Sequence, residues 1–181
     1  MKSYDFTQIK LVAATKDDFL TIKNMTQFYT YEFSAAVADN LNWPLNGDGK
    51  YFEMQTLPLY WQEKNRYPFI LYYKNEIMGF VLINVLGSTA DVNWNMGEFF
   101  IIRKFQNKGM GRMVAKLCFE QFQGVWEVMV IPANQAAYQF WKKVISDYTQ
   151  GDFSESIKPI AYKTNEDRIV FKFDTAKKNK Q

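Results

Sequence analysis

The sequence has no histidine and a single cysteine, Cys118. The first absence excludes catalytic triads built on an imidazole base and metal sites with His ligands. The second excludes an internal disulfide and a multi-thiolate zinc cluster. No run approaches the ~18 consecutive apolar residues that a bilayer span needs. The opening residues, Met1 to Phe6, lack the apolar centre of a signal peptide. No Gly/Pro/Ser-rich linker, internal repeat or low-complexity segment interrupts the 181 residues. The expectation is one domain over 1–175 with a polar basic tail at 176–181, in the cytoplasm and without a membrane partner. Formal charge is only +3, and Lys177, Lys178 and Lys180 in the tail account for it. A neutral body gives little support to nucleic-acid binding.

What is abundant is apolar and aromatic. Apolar residues make up 48% of the chain, and there are 16 Phe, 11 Tyr and 5 Trp. Charged residues are 23%, so the composition is that of a folded globular protein. Ile9 to Ala13 reads as a first strand. Thr15 with Asp18 three residues on resembles a capping box, so a helix should begin there. Phe19, Ile22, Thr26, Tyr29, Phe33 and Ala36 recur at +3 and +4 spacing, which gives that helix one buried face. Asn40 to Gly49 breaks the pattern, and Asn46-Gly47-Asp48-Gly49 is a turn signal. A second helix is expected within Phe52 to Lys64.

Pro68 to Tyr73, Ile77 to Leu86 and Asp91 to Arg103 read as an antiparallel meander, with Lys74-Asn75-Glu76 as a tight connection. Phe99 to Ile102 is apolar on both faces and so belongs in the middle of a sheet. Gly109 to Phe122 is an amphipathic helix, with Met110, Met113, Val114, Leu117, Cys118 and Phe122 on one stripe. Val125 to Ile131 is a strand ended by Pro132. Asn134 opens a helix carrying Ala137, Phe140, Trp141, Val144 and Ile145 on its apolar face. Two antiparallel strands close the chain, one ending near Tyr162 and one spanning Ile169 to Asp174. The order β-αα-β-β-β-α-β-α-β-β is an α+β fold with a mixed sheet of about seven strands and about four helices.

Chemistry concentrates between Glu98 and Trp141. The apolar strand leads into Arg103-Lys104-Phe105-Gln106-Asn107-Lys108-Gly109-Met110-Gly111-Arg112, and a helix follows at once. Glycines at a strand-to-helix turn let backbone amides converge on an anion, and the helix N-terminus adds partial positive charge. The same glycines also serve purely structural turns. No Gly-Lys-Ser/Thr closes the loop, so it is not a Walker A motif. A third glycine is missing, so it is not the dinucleotide fingerprint.

Gln106-x-x-Gly109-x-Gly111, between an apolar strand and an amphipathic helix, resembles the acetyl-CoA loop of the GCN5-related N-acetyltransferase (GNAT) family. Asn134-x-x-Ala137-x-x-Phe140-Trp141, after a strand, resembles that family's second cofactor segment. The element order matches from Ile9 to Asp174. The resemblance implies a mostly antiparallel sheet with a splayed cofactor cleft. It implies that the amides of Asn107, Lys108, Gly109, Met110, Gly111 and Arg112 bind the pyrophosphate of acetyl-CoA. The backbone of Phe99, Phe100 and Ile101 would pair with the pantetheine arm, which Asn134 would also hydrogen-bond. The strand amides would form an oxyanion hole, and an amine would attack the thioester directly.

Two positions depart from the family's pattern. Many members place a Tyr acid seven residues after the Asn, where this chain has Trp141. An indole N–H donates a hydrogen bond but is no acid near pH 7. Tyr138, one turn earlier, is the nearest substitute, or else a boundary tyrosine packed on the sheet. Some members place a Glu where Met129 stands. Glu98 is the alternative proton acceptor, or else a strand-end carboxylate facing solvent; a bulge would decide which way it faces. Acceptor contacts are expected from Tyr31, Glu32, Trp43 and Tyr51, whose aromatic rings and carboxylate suit a cationic amine. Phe33 and the Asp48-Gly49 turn beside them also fit structural roles. Cys118, on an apolar stripe, reads as a small buried hydrophobe.

The expected function is therefore transfer of an acetyl group from acetyl-CoA to a small-molecule or peptide amine, by a monomer or homodimer. A CoA-binding regulatory module without turnover is the rival that Trp141 and Met129 motivate. A nucleic-acid-associated protein relying on the basic tail is a third, weaker reading.

Overall fold

Seven strands form a single sheet in the order β1-β2-β3-β4-β5-β7-β6. The structure is a computed structural model that describes residues 4–37, 44–161 and 166–176. Asn40, Trp43, Tyr162, the Lys177–Lys180 cluster and the side chain of Ala36 lie outside the described residues. The strands are β1 (Ile9–Ala13), β2 (Arg66–Tyr73), β3 (Glu76–Asn84), β4 (Trp94–Ile101), β5 (Val125–Val130), β6 (Ser154–Ile160) and β7 (Glu166–Asp174). The helices are α1 (Phe19–Val37), α2 (Met110–Gln121) and α3 (Gln135–Thr149). Of the neighbouring pairs in this sheet, β4 and β5 run parallel and all the others antiparallel.

The start of α1 follows the expected cap. The backbone N–H and the hydroxyl of Thr15 both donate to the Asp18 carboxylate, at 2.8 and 2.9 Å. One 3-10 turn, Lys16–Asp18, then runs into the helix. The expected second helix within Phe52 to Lys64 is absent; the segment folds as a short 3-10 turn, Leu57–Trp61. Pro58 stands in its first turn. Leu57 and Tyr60, three residues apart, are its buried residues. That spacing suits a 3-10 turn, and with no apolar residue one α-turn further on, a longer helix would gain no burial. The described residues thus hold three helices where about four were expected. β3 ends at Asn84, two residues early, because the Asn84 side chain accepts the Leu86 N–H at 2.9 Å and turns the chain.

The helices cover opposite faces of the sheet. α2 and α3 pack on one face over Phe69, Leu71, Val81, Met96, Trp126, Val128 and Phe171. α1 and the 3-10 turn cover the other over Ile70, Phe80, Leu82 and Phe100. Ile70 and Leu71, or Val81 and Leu82, therefore point to different sides, as the two-residue period of a strand requires. Cys118 is fully buried in the α2 layer, where desolvation pushes its thiol up to about 12. No helix among the described residues is long and apolar enough to cross a membrane.

Candidate active site

The sheet opens where β4 leaves β5. Their parallel pairing covers only Trp94↔Trp126, Asn95↔Glu127 and Met96↔Val128. Beyond that seam β4 continues to Ile101 against β3 alone. Two cavities meet at the opening, and Tyr29, Phe33, Phe99, Asn134, Ala137 and Trp141 line both.

The bulge that decides the facing of Glu98 is present. In the β3–β4 register Leu82 opposes Glu98 but Ile83 opposes Met96, so Gly97 has no partner across the ladder. Met96 then lies on the α2/α3 face and Phe100 on the α1 face. Glu98 turns to the α1 side, where it accepts the Tyr29 hydroxyl at 2.6 Å. Glycine is required at the bulge, because a Cβ on Gly97 would stand 2.5 Å from the Tyr60 oxygen and 2.7 Å from Asn84 Nδ2. Desolvation, then the neighbouring carboxylate, hold the Tyr29 phenol well above its ordinary value. Tyr29 is thus a fixed hydrogen-bond donor. The sequence pattern placed it on the buried face of α1 and gave no sign of this partner.

One lobe, about 640 Å³, runs along the Gly109–Gly111 turn and the first turns of α3. Asn107 and Gly109 both have positive φ, 56° and 78°. Gly109 is the N-cap of α2. Met113 is the first α2 amide to find a backbone carbonyl, that of Gly109, at 3.1 Å. The amides before it are the unpaired donors that every helix start presents. Gln106 anchors the turn, its side-chain amide donating to the Ile101 carbonyl and to Glu32, both at 2.7 Å. Phe99, Phe100, Ile101, Asn107, Gly109, Gly111, Arg112 and Asn134 all line this lobe. Lys108 does not: its ammonium donates to the Lys104 carbonyl and lies over the Tyr4 ring. Met110 is wholly buried and lines neither cavity. Arg112 pairs with Asp147 at 2.8 Å on the rim. Asn134 caps α3 by accepting the Ala137 N–H at 3.0 Å, which leaves its NH2 group for the cleft.

The other lobe, about 480 Å³, lies between α1, the 51–54 segment and the open edges of β4 and β5. Tyr51 lines it and is tied to α1: its N–H donates to Gln27 at 2.9 Å, and its hydroxyl lies 3.3 Å from that of Ser34. Glu98, Met129 and Arg168 line it too. Of the other expected acceptor contacts, Glu32 sits in the first lobe instead, bonded to Gln106 and Arg103. Tyr31 is 65% exposed and lines neither cavity, and Trp43 is outside the described residues. Arg168 went unnoticed in the sequence because it reads as the polar start of a strand.

The structure also places the two aromatic candidates on α3. Tyr138 lines neither cavity. Its ring stacks on Phe171, its hydroxyl donates to Glu155 at 2.9 Å, and Lys142 donates to it at 2.8 Å. These contacts pack it on the sheet beside β6 and β7. Trp141 stands at the junction of the lobes, edge-on to Phe99 with ring centroids 5.0 Å apart.

The comparisons agree with this geometry. The acetyltransferase (GNAT) family pattern matches residues 34–145. No curated protein matches the sequence. Among solved structures, an acetyltransferase from Thermus thermophilus superposes with a TM-score of 0.66 at 15% identity, over 92% of this chain and 97% of that one. The ribosomal-protein-S18-alanine N-acetyltransferase of Escherichia coli gives 0.60 at 14% identity, over 92% and 94%. The dodecameric spermidine N-acetyltransferase of Vibrio cholerae gives 0.58 at 13% identity, over 95% and 96%. With its bulged fourth strand, open β4–β5 seam and glycine turn at the head of α2, the chain belongs to the GNAT family of acetyltransferases.

Proposed function

We propose that this enzyme acetylates a primary amine, with acetyl-CoA as donor and by direct attack. The observation that carries the reading is the turn of Asn107, Gly109, Gly111 and Arg112 at the start of α2, which lines a cleft whose β4 edge has lost its partner. The residues fit the donor. The α2 amides and Gly109 suit a pyrophosphate, and the β4 edge and the Asn134 NH2 suit an extended amide chain. When bound, acetyl-CoA supplies a thioester whose acyl carbon accepts the amine nitrogen while the sulfur departs with the C–S electron pair. Glu98 accepts the ammonium proton, directly or through one water, with Tyr29 fixing its carboxylate. The Trp141 indole N–H steadies the departing thiolate as a hydrogen-bond donor, and solvent returns its proton. Tyr138 is not needed in this scheme, since Glu155 and Lys142 already engage its hydroxyl.

Calorimetric titration with acetyl-CoA and with CoA tests the reading. Binding should be micromolar, and Gly109→Asp should abolish it. A Cβ there would lie 3.0 Å from the Phe6 ring on backbone at positive φ, and the carboxylate would oppose the phosphates. Unchanged affinity in that variant refutes the loop assignment. Binding with no transfer to any amine in a broad panel leaves the regulatory reading in its place.

A further inference from the structure

We infer that the acceptor is a small amino carboxylate, whose acid group is read by Arg168 while its amine meets Glu98. The inference rests on the proposed function and names the substrate class of the same site.

Arg168 is the feature that the acetyl-transfer chemistry does not require. It lies on β7, is only 9% exposed, and lines the acceptor lobe together with Glu98. The last β5–β7 pair is Val130↔Ile169, so Arg168 stands one residue beyond it, across β5 from the β4 edge. Among the described residues, two of the five guanidinium N–H groups are engaged. One donates to the Asp167 carbonyl at 2.9 Å, and one to the Glu166 carboxylate at 2.8 Å. The rest of the fork is available, and its planar geometry matches a carboxylate.

The charges around the lobe point the same way. Glu53 also lines it but is held by Lys23 at 2.7 Å. A polyamine would need a second desolvated anionic contact, and Glu53, 62% exposed and paired with Lys23, is not one. Among the described residues, and with Glu53 paired to Lys23, what the lobe offers a ligand is the Glu98 carboxylate and the Arg168 guanidinium, on walls of Phe33, Phe52, Met54 and Met129. That pattern complements a molecule with an amine at one end, a carboxylate at the other and an apolar spacer between them. A second ammonium would find a guanidinium, not a carboxylate, at the Arg168 end of the lobe. Arg168 and Glu98 stand two strands apart in the sheet order, which in a closed sheet is roughly 10 Å between backbones and is wider here because β4 has left β5. Both side chains line the same cavity, so the spacer must span the gap between them, and the test runs over chain length.

The test is steady-state acetylation of a series of ω-amino carboxylates, each paired with the alkylamine of the same chain length, and of spermidine. Thiol release reports turnover without interference, because Cys118 is buried with its thiol pushed up to about 12. Wild type should favour the amino carboxylate in each pair by about 10- to 100-fold in kcat/KM, the range of a charge-assisted hydrogen bond. Arg168→Gln should collapse that ratio toward unity, and Arg168→Lys should restore part of it. Glu166 is at the exposed rim, so the glutamine variant strands no buried charge, and an unchanged acetyl-CoA affinity verifies its fold. Equal or better use of alkylamines or spermidine overturns the inference, as does an unchanged ratio in Arg168→Gln. Should no amine be turned over, titration of the amino carboxylates into the CoA-loaded protein decides, and absence of Arg168-dependent binding overturns it. Failure to bind acetyl-CoA at all sinks the proposed function instead, so the two outcomes are distinct.

Discussion

At the scale of single residues, the proposed chemistry turns on a hydroxyl and a carboxylate 2.6 Å apart. Among the described residues, Glu98 is the acid that the bulge turns toward both α1 and the acceptor lobe. Glu98→Gln keeps the shape but removes the proton acceptor, so kcat should fall by about 10²- to 10⁴-fold, the usual share of general-base catalysis. Acetyl-CoA affinity should be unchanged, and a variant with wild-type kcat would remove Glu98 from the mechanism. Tyr29 acts one step back, as a positioning residue. Tyr29→Phe should lower kcat by roughly 10-fold, in line with one hydrogen bond to a charged group. The raised phenol value implies that Tyr29 keeps its proton well past neutrality. The deficit should therefore be the same at about pH 6 and about pH 9. A deficit that grows with pH across that range would mean the phenol titrates and acts as an acid.

The bulge at Gly97 is where an element, rather than a residue, determines the site. It shifts β4 by one position against β3 and so sends Glu98 to the face opposite Met96. Gly97→Ala puts a methyl group against the buried Tyr60–Asn84 hydrogen bond, itself 2.8 Å long. Melting should show a loss of about 1–3 kcal/mol, as overpacking gives, and turnover should fall with it. Full stability and activity in that variant would show that the strand absorbs the methyl by sliding. Much of the fold was legible because its elements carry clear periods: Ile9 to Ala13, the helix after Gly109 and the helix after Asn134 lie where apolar spacing puts them. The Leu57–Trp61 turn was not, because a dense aromatic segment reads as helix until its proline and its spacing are weighed. The Gly109–Gly111 turn was legible from its glycines. The facing of Glu98 depended on a backbone irregularity with no side-chain signature, and Arg168 and Tyr29 reach the cleft only through tertiary packing.

Buried acids shape the molecule as a whole. The Cys118 thiol and the Tyr60 phenol both rise to about 12, from ordinary values of 9.0 and 10.0, mainly through desolvation. The folded state therefore holds these protons more tightly than the unfolded chain. Their contribution to stability is fully present below the ordinary values and is lost as pH climbs from there toward about 12. The Tm should stay level up to about pH 9 and then decline, with Cys118→Ala delaying the onset. A Tm that is level to about pH 11 would contradict this burial. The short parallel seam has a consequence of another kind. β1 to β4 follow one another as neighbours in an antiparallel run, and β5, β7 and β6, in that order, form a second antiparallel group. Among the described residues, three ladder pairs, the Asn93–Val125 and Ser88–Glu127 hydrogen bonds, the Lys172–Asp91 pair and the overlying helices join the two. Partial unfolding would therefore divide the chain there, into two cooperative blocks whose common boundary is the cleft itself. A ligand bridging that boundary would act as the missing rungs of the ladder, tying the blocks into one unit.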